Sequence, residues 1–90
     1  MDFRTIYKHN PECPVREIGS GLVIMAPAGE TTHALEDLGV FIWNQIDGAK
    51  DLEGVLAAIV AEYEVDEGTA RNDLQGFVAQ LEEAGLVLVV

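Results

Sequence analysis

Two imidazoles and one thiol, His9, His33 and Cys13, carry the sharpest chemistry in this 90-residue chain, and metal capture or nucleophilic attack is what they could offer. Zinc sites draw on paired close ligands, and one thiol with two scattered imidazoles does not make such a set, so no metal is expected. Cys13 lies between Pro11 and Pro14 with no neighbour suited to lowering its pKa, and reads as a loop residue rather than a nucleophile. The carboxylate pairs Asp66-Glu67 and Glu82-Glu83 read as solvated helix faces, not as an acid and a base. Trp43 could stack on a ligand, but its place in an apolar helical stripe points to the core, with the indole N–H seeking one partner. No catalytic residue and no cofactor is expected.

The elements that would position such residues are bounded by size and charge. Ninety residues provide one small core, with little apolar material to spare for a deep, water-excluding active site, which disfavours catalysis by this chain alone. Five basic residues against sixteen acidic ones give a net charge of −11. From Glu36 onward only Lys50 and Arg71 oppose twelve acids. Such a field repels phosphate backbones and anionic lipids and attracts basic peptides or basic protein patches; simple solubility is the plain alternative. A lone cysteine permits no internal disulfide and fits a reducing cytoplasm. No signal peptide and no apolar run of about 20 residues is present, so no membrane partner is expected.

Residues 1–14 form an N-terminal segment in which Phe3 to Tyr7 reads as an edge strand, interrupted by Pro11 and Pro14. Residues 15–35 read as a sheet. Val15 to Ile18 and Leu22 to Ala26 pair across Gly19-Ser20-Gly21, and Pro27-Ala28-Gly29 leads into a third strand, Glu30 to Leu35. That strand places Thr31, His33 and Leu35 on one face and Thr32 and Ala34 on the other. Residues 36–85 read as three helices. In the first, Leu38, Phe41, Ile42, Trp43 and Ile46 make an apolar stripe that Asp47-Gly48 stops. The second, capped by Asp51, carries Leu52, Val55, Leu56, Ile59, Val60 and Tyr63. The third, capped by Asp66, carries Ala70, Leu74, Phe77, Val78 and Leu81 and ends at Gly85. The tail, 86–90, is too apolar to float in water and reads as a final strand or an extended segment packed on the sheet. The fold class is therefore α+β: an N-terminal three-stranded antiparallel sheet followed by three helices, winged helix-turn-helix-like, in a single domain spanning 1–90.

The apolar strand LVIMAP at 22–27, the run HALEDLGVFIW at 33–43 and Asp47-Gly48 are similar to the PqqD-like family. The register AEYEVDEGTARNDLQGFVAQLEEAGLV at 61–87 continues the likeness, with Tyr63, Asp73, Phe77, Leu81, Gly85 and Leu86 at family positions. About residues 15 to 88 take part. The resemblance implies a standalone peptide-binding module, the RiPP recognition element. Such a module holds the leader of a ribosomally made precursor peptide while a partner enzyme, often of the radical-SAM type, modifies its core. It implies strand addition at Thr31, Thr32, His33, Ala34 and Leu35 over a groove against the third helix, with Arg71, Leu74, Gln75 and Val78 as groove residues. One departure stands out: where the family commonly has an Asn helix cap, this chain has Glu36-Asp37, either of which can interact with the helix N-terminus. The pathway, whether that of pyrroloquinoline quinone or another, is not specified by the residues around 31–35.

Blander readings accompany these residues. Thr31 to Leu35 also reads as an ordinary edge strand, Arg71 can pair with Glu67 four positions earlier, and Leu74 and Val78 lie on the core stripe with only their rims free for a peptide. A winged-helix DNA regulator is the alternative function, although the third helix offers phosphates only Arg71, so no nucleic-acid partner is expected. An acidic adaptor that docks on an enzyme without touching peptide is a third.

Overall fold

A two-residue turn with Gly19 at φ +60 joins strands β2 (Val15–Ile18) and β3 (Gly21–Met25), and β3 pairs on its other side with β4 (Thr32–Leu35). Glycine opens this turn because its first central position needs a positive φ. In this computed structural model the described residues are 1–27, 29 and 31–90, so Ala28 and Glu30 of the expected turn and third strand lie outside them. The three-stranded antiparallel order β2-β3-β4 agrees with the sequence reading. Leu22, Ile24 and Leu35 are buried on its inner face, while Met25, Thr32 and Ala34 are exposed on the other.

The helices follow: α1 (Leu38–Gln45), α2 (Leu52–Glu62) and α3 (Glu67–Glu83). Asp51 and Asp66 cap α2 and α3 as expected, accepting from the amides of Gly54 and Thr69. At the end of α3, Gly85 (φ +77) donates to the Glu82 carbonyl and Leu86 to that of Leu81, the paired bonds of a Schellman stop. Two boundaries depart from the sequence reading. Helix α1 ends at Gln45 with Ile46 already extended; Gly48 (φ +80) lies two residues further on and donates to the Tyr7 carbonyl instead of closing the helix. Neither Glu36 nor Asp37 caps α1 with its side chain. Asp37 instead takes φ 48 and ψ −117, the first central position of a tight turn closed by the Gly39 amide on the Glu36 carbonyl.

The chain ends form an element that the sequence reading placed otherwise. The N-terminal strand is β1 (Tyr7–His9), displaced from the expected Phe3 to Tyr7, and its partner is β5 (Val87–Val89). The apolar tail thus joins a separate two-stranded ribbon and not the three-stranded sheet. Phe3 lies in the core, and the carbonyls of Phe3 and Thr5 accept from Glu53 and Leu52, the first amides of α2. The N-terminal segment therefore satisfies helix donors that would otherwise be orphaned.

One core of buried side chains joins these elements, with Ile24, Leu52, Val55, Ile59, Leu74, Val78, Leu86 and Val87 at its centre. Val60 and Tyr63, expected on the buried stripe of α2, are 39% and 38% exposed. Trp43 is buried, stacked on the His9 ring at 3.7 Å, and its carbonyl accepts from His9 Nε2–H at 2.7 Å. No helix among the described residues is long and apolar enough to cross a membrane.

Candidate functional site

Strand β4 is an edge, and the hydrogen-bond alternation of antiparallel pairs tells which of its backbone groups are free. The Ala26 amide donates to Thr31, so the 26/31, 24/33 and 22/35 pairs are the bonded ones. The peptide groups of Thr32 and Ala34 consequently turn their N–H and C=O away from β3, toward the open side. A strand added there would alternate its side chains, and those sharing the face of His33 and Leu35 would drop toward α3.

Between β4 and α3 runs a groove with two ends that meet at Ala34, Leu35 and Phe77. The α1 end, about 420 Å3, is lined by Leu35, Leu38, Gly39, Ile42 and Phe77, with Glu36 and Asp73 also on its walls. The other end, about 710 Å3 and more polar, runs from Thr31 along β4 to Gln80, Glu83 and Ala84. Gly39 shapes the first end: a Cβ there would lie 3.5 Å from Phe77 Cζ, so the half-buried ring packs directly on the α1 backbone. Thr31 Oγ1 and His33 Nε2 are 2.9 Å apart at the second.

All five strand residues named from the sequence line this groove, and the four named on α3 do not. Leu74 and Val78 are 0% exposed and belong wholly to the core, leaving no rim for a peptide. Arg71 and Gln75 lie about 120° and 160° around the helix from Phe77. Arg71 faces α2, bound to Glu53 at 2.7 Å and to Glu67 at 3.4 Å, with its guanidinium 4.7 Å from the Phe3 ring centre. The local ion pair weighed from the sequence is present, strengthened by the unanticipated Glu53. The α3 residues on the groove are instead Asp73, Phe77, Gln80, Leu81 and Glu83, continued by the C-cap Ala84; Asp73, Phe77, Gln80 and Ala84 make its partly exposed shoulder. Its signal in the sequence is a shoulder at i, i+4, i+7 and i+11 beside the core stripe, with one aromatic between polar neighbours.

The remaining reactive groups are scattered. Cys13 is buried and donates to the Gly85 carbonyl at 3.5 Å, and burial, aided by Glu12, pushes its thiol pKa up, away from nucleophilic character. Among the described residues no group of three or more His, Cys, Asp or Glu side chains is placed to hold a metal ion.

An α+β domain of winged-helix type, with an open uncharged sheet edge beside a mainly apolar groove, is the class that this fold and site define. The chain belongs to the family described as "Coenzyme PQQ synthesis protein D (PqqD)", whose pattern matches residues 21–87. Among solved structures, TbiB1 in complex with the TbiA(beta) leader peptide is 29% identical, with a TM-score of 0.79 over 89% of this chain and 93% of that one. A lasso peptide synthetase B1 complexed with its leader peptide is 25% identical, with a TM-score of 0.73 over 91% and 96% of the two chains. The heterocyclase TruD shares the fold within 12% of its own chain, covering 96% of this one at 21% identity and a TM-score of 0.65. No curated protein matches the sequence.

Proposed function

We propose that this protein binds the leader segment of a ribosomally synthesised precursor peptide by strand addition to β4 and presents it to a modifying enzyme, without catalysing a step itself. The observation that carries the reading is the pair of free peptide groups at Thr32 and Ala34 beside the α3 groove, in a fold whose relatives TbiB1 and the lasso synthetase B1 hold leader peptides. Backbone bonds supply affinity with little regard to sequence, and the groove selects alternate side chains. The sheet has a second edge, β2, but it displays Arg16 and Glu17, and charge on an edge discourages pairing. Strand β4 carries no fixed charge.

Physical support also weighs against the DNA reading. The single cation of α3, Arg71, is neutralised by two carboxylates, and phosphate binding needs unpaired cations. The modifying partner is of the radical-SAM type in our reading, in a cytoplasmic pathway making pyrroloquinoline quinone or another ribosomal-peptide product.

Titration with leader peptides from short reading frames beside the gene tests the proposal. Binding shifts the backbone amide signals of Thr32 to Leu35 and of Phe77 and Gln80. Ala34→Pro removes the outward N–H and weakens binding at least tenfold, while far-UV circular dichroism keeps its helical signal. A cognate leader that leaves those amides unmoved sinks the idea.

A further inference from the structure

We infer that the peptide held in this groove is basic: a lysine or arginine side chain enters the α1 end, its aliphatic stem along Leu38 and Phe77 and its charged head against Glu36 and Asp73. The inference rests on the leader-binding reading above and adds to it the chemical class of the ligand.

Charge placement carries it. Glu36 leaves β4 and Asp73 stands on α3, and both wall the same apolar pocket, while Glu83 lies at the other end of the groove. Among the described residues none of these three carboxylates has an ion-pair or side-chain hydrogen-bond partner. The five basic side chains lie elsewhere: Arg4 pairs with Asp2, Lys50 with Asp47 and Arg71 with Glu53 and Glu67, while Lys8 stands on β1 and Arg16 on β2. No lysine or arginine lines the groove.

A trench with an apolar floor and acidic walls matches one kind of side chain. Lysine and arginine bury a hydrocarbon stem while keeping the charge at the surface. An arginine head can also lie over the Phe77 ring, half-exposed at the junction of the two ends. An acidic leader meets three like charges and a net protein charge of −11. A single exposed ion pair adds little, but one cation shared by two carboxylates over an apolar wall is worth about tenfold in affinity.

The test uses random twelve-residue peptides displayed on phage, panned against the intact protein. Expected are binders that shift the Thr32–Leu35 amides and hold Lys or Arg at one fixed position. The synthetic peptide with that residue changed to Gln binds about tenfold more weakly, and raising the salt concentration narrows the gap. Against Glu36→Gln/Asp73→Asn, both exposed positions whose change leaves the fold intact, the two peptides bind alike. Binders that move the β4 amides without a basic preference, or whose preference survives in the double variant, overturn the inference and leave the leader reading standing. If no binder moves those amides, the leader reading fails first and takes this inference with it.

Discussion

At Gly39 the missing side chain lets the α1 backbone form part of the groove wall. A methyl group there would sit 3.5 Å from the Phe77 ring and 3.6 Å from Leu35 Cβ, both ordinary contacts, and glycine inside a helix costs roughly 1 kcal/mol against alanine. Gly39→Ala should therefore raise the thermal midpoint while weakening leader binding, which melting and titration of the same sample would show; a variant that gains stability with unchanged affinity would mean the peptide does not use the α1 end. Tyr7 makes a separate prediction. Its buried ring donates from Oη to Glu82 at 3.1 Å, and burial, with that carboxylate, holds its pKa above the ordinary 10.0. Above pH 10 the unfolded chain then releases a proton that the folded one keeps, so stability falls as pH rises through that window. Tyr7→Phe should flatten part of the fall in denaturant titrations at rising pH, at a cost of about 1 kcal/mol near neutrality.

At the scale of the elements, the Glu36-Asp37 turn is where local sequence and structure disagree. A non-glycine residue at φ 48, ψ −117 is strained, and the absence of a side-chain cap leaves nothing local to offset it. Asp37→Gly should stabilise the fold by about 1 kcal/mol in chemical denaturation; a loss would mean that the Asp37 carboxylate supports the α1 N-terminus in some other way. The caps at Asp51 and Asp66 and the stop at Gly85 were legible because each acts within four residues of itself. So was the face alternation of Thr31 to Leu35, fixed by the period of two. Which side of α3 faces β4 was not, because periodicity finds the core stripe and leaves its two shoulders equivalent. Arg71 and Gln75 sit on the shoulder turned away from the groove, and only the packing of α3 puts Asp73, Phe77 and Gln80 on the groove side. Leu74 and Val78 occupy the middle of the stripe, which the folded core encloses fully.

Across the whole molecule, Tyr7 pairs with Val89 and the Val90 amide donates to the Ile6 carbonyl. Sequence alone did not disclose this ribbon, since three-residue strands at opposite ends of a chain carry no mutual signal. Its assembly has a kinetic meaning. The β2-β3-β4 meander joins near neighbours in the chain, whereas the ribbon closes a loop of nearly the full length, and closure entropy grows by roughly 0.6 kcal/mol for each doubling. This topology predicts that the meander and helices form early and the β1-β5 ribbon zips last. Val87 is 1% exposed in the folded state and, on this prediction, makes its contacts only after the transition state. Val87→Ala, costing about 2 kcal/mol, should speed unfolding about thirtyfold and leave the refolding limb of the chevron in place. An equal slowing of refolding would show that the ends meet before the barrier. A ribbon that seals last would set the lifetime of the folded protein through β1 and β5, neither of which lines the groove, so persistence could change there while the proposed peptide contacts on β4 and α3 stay as they are.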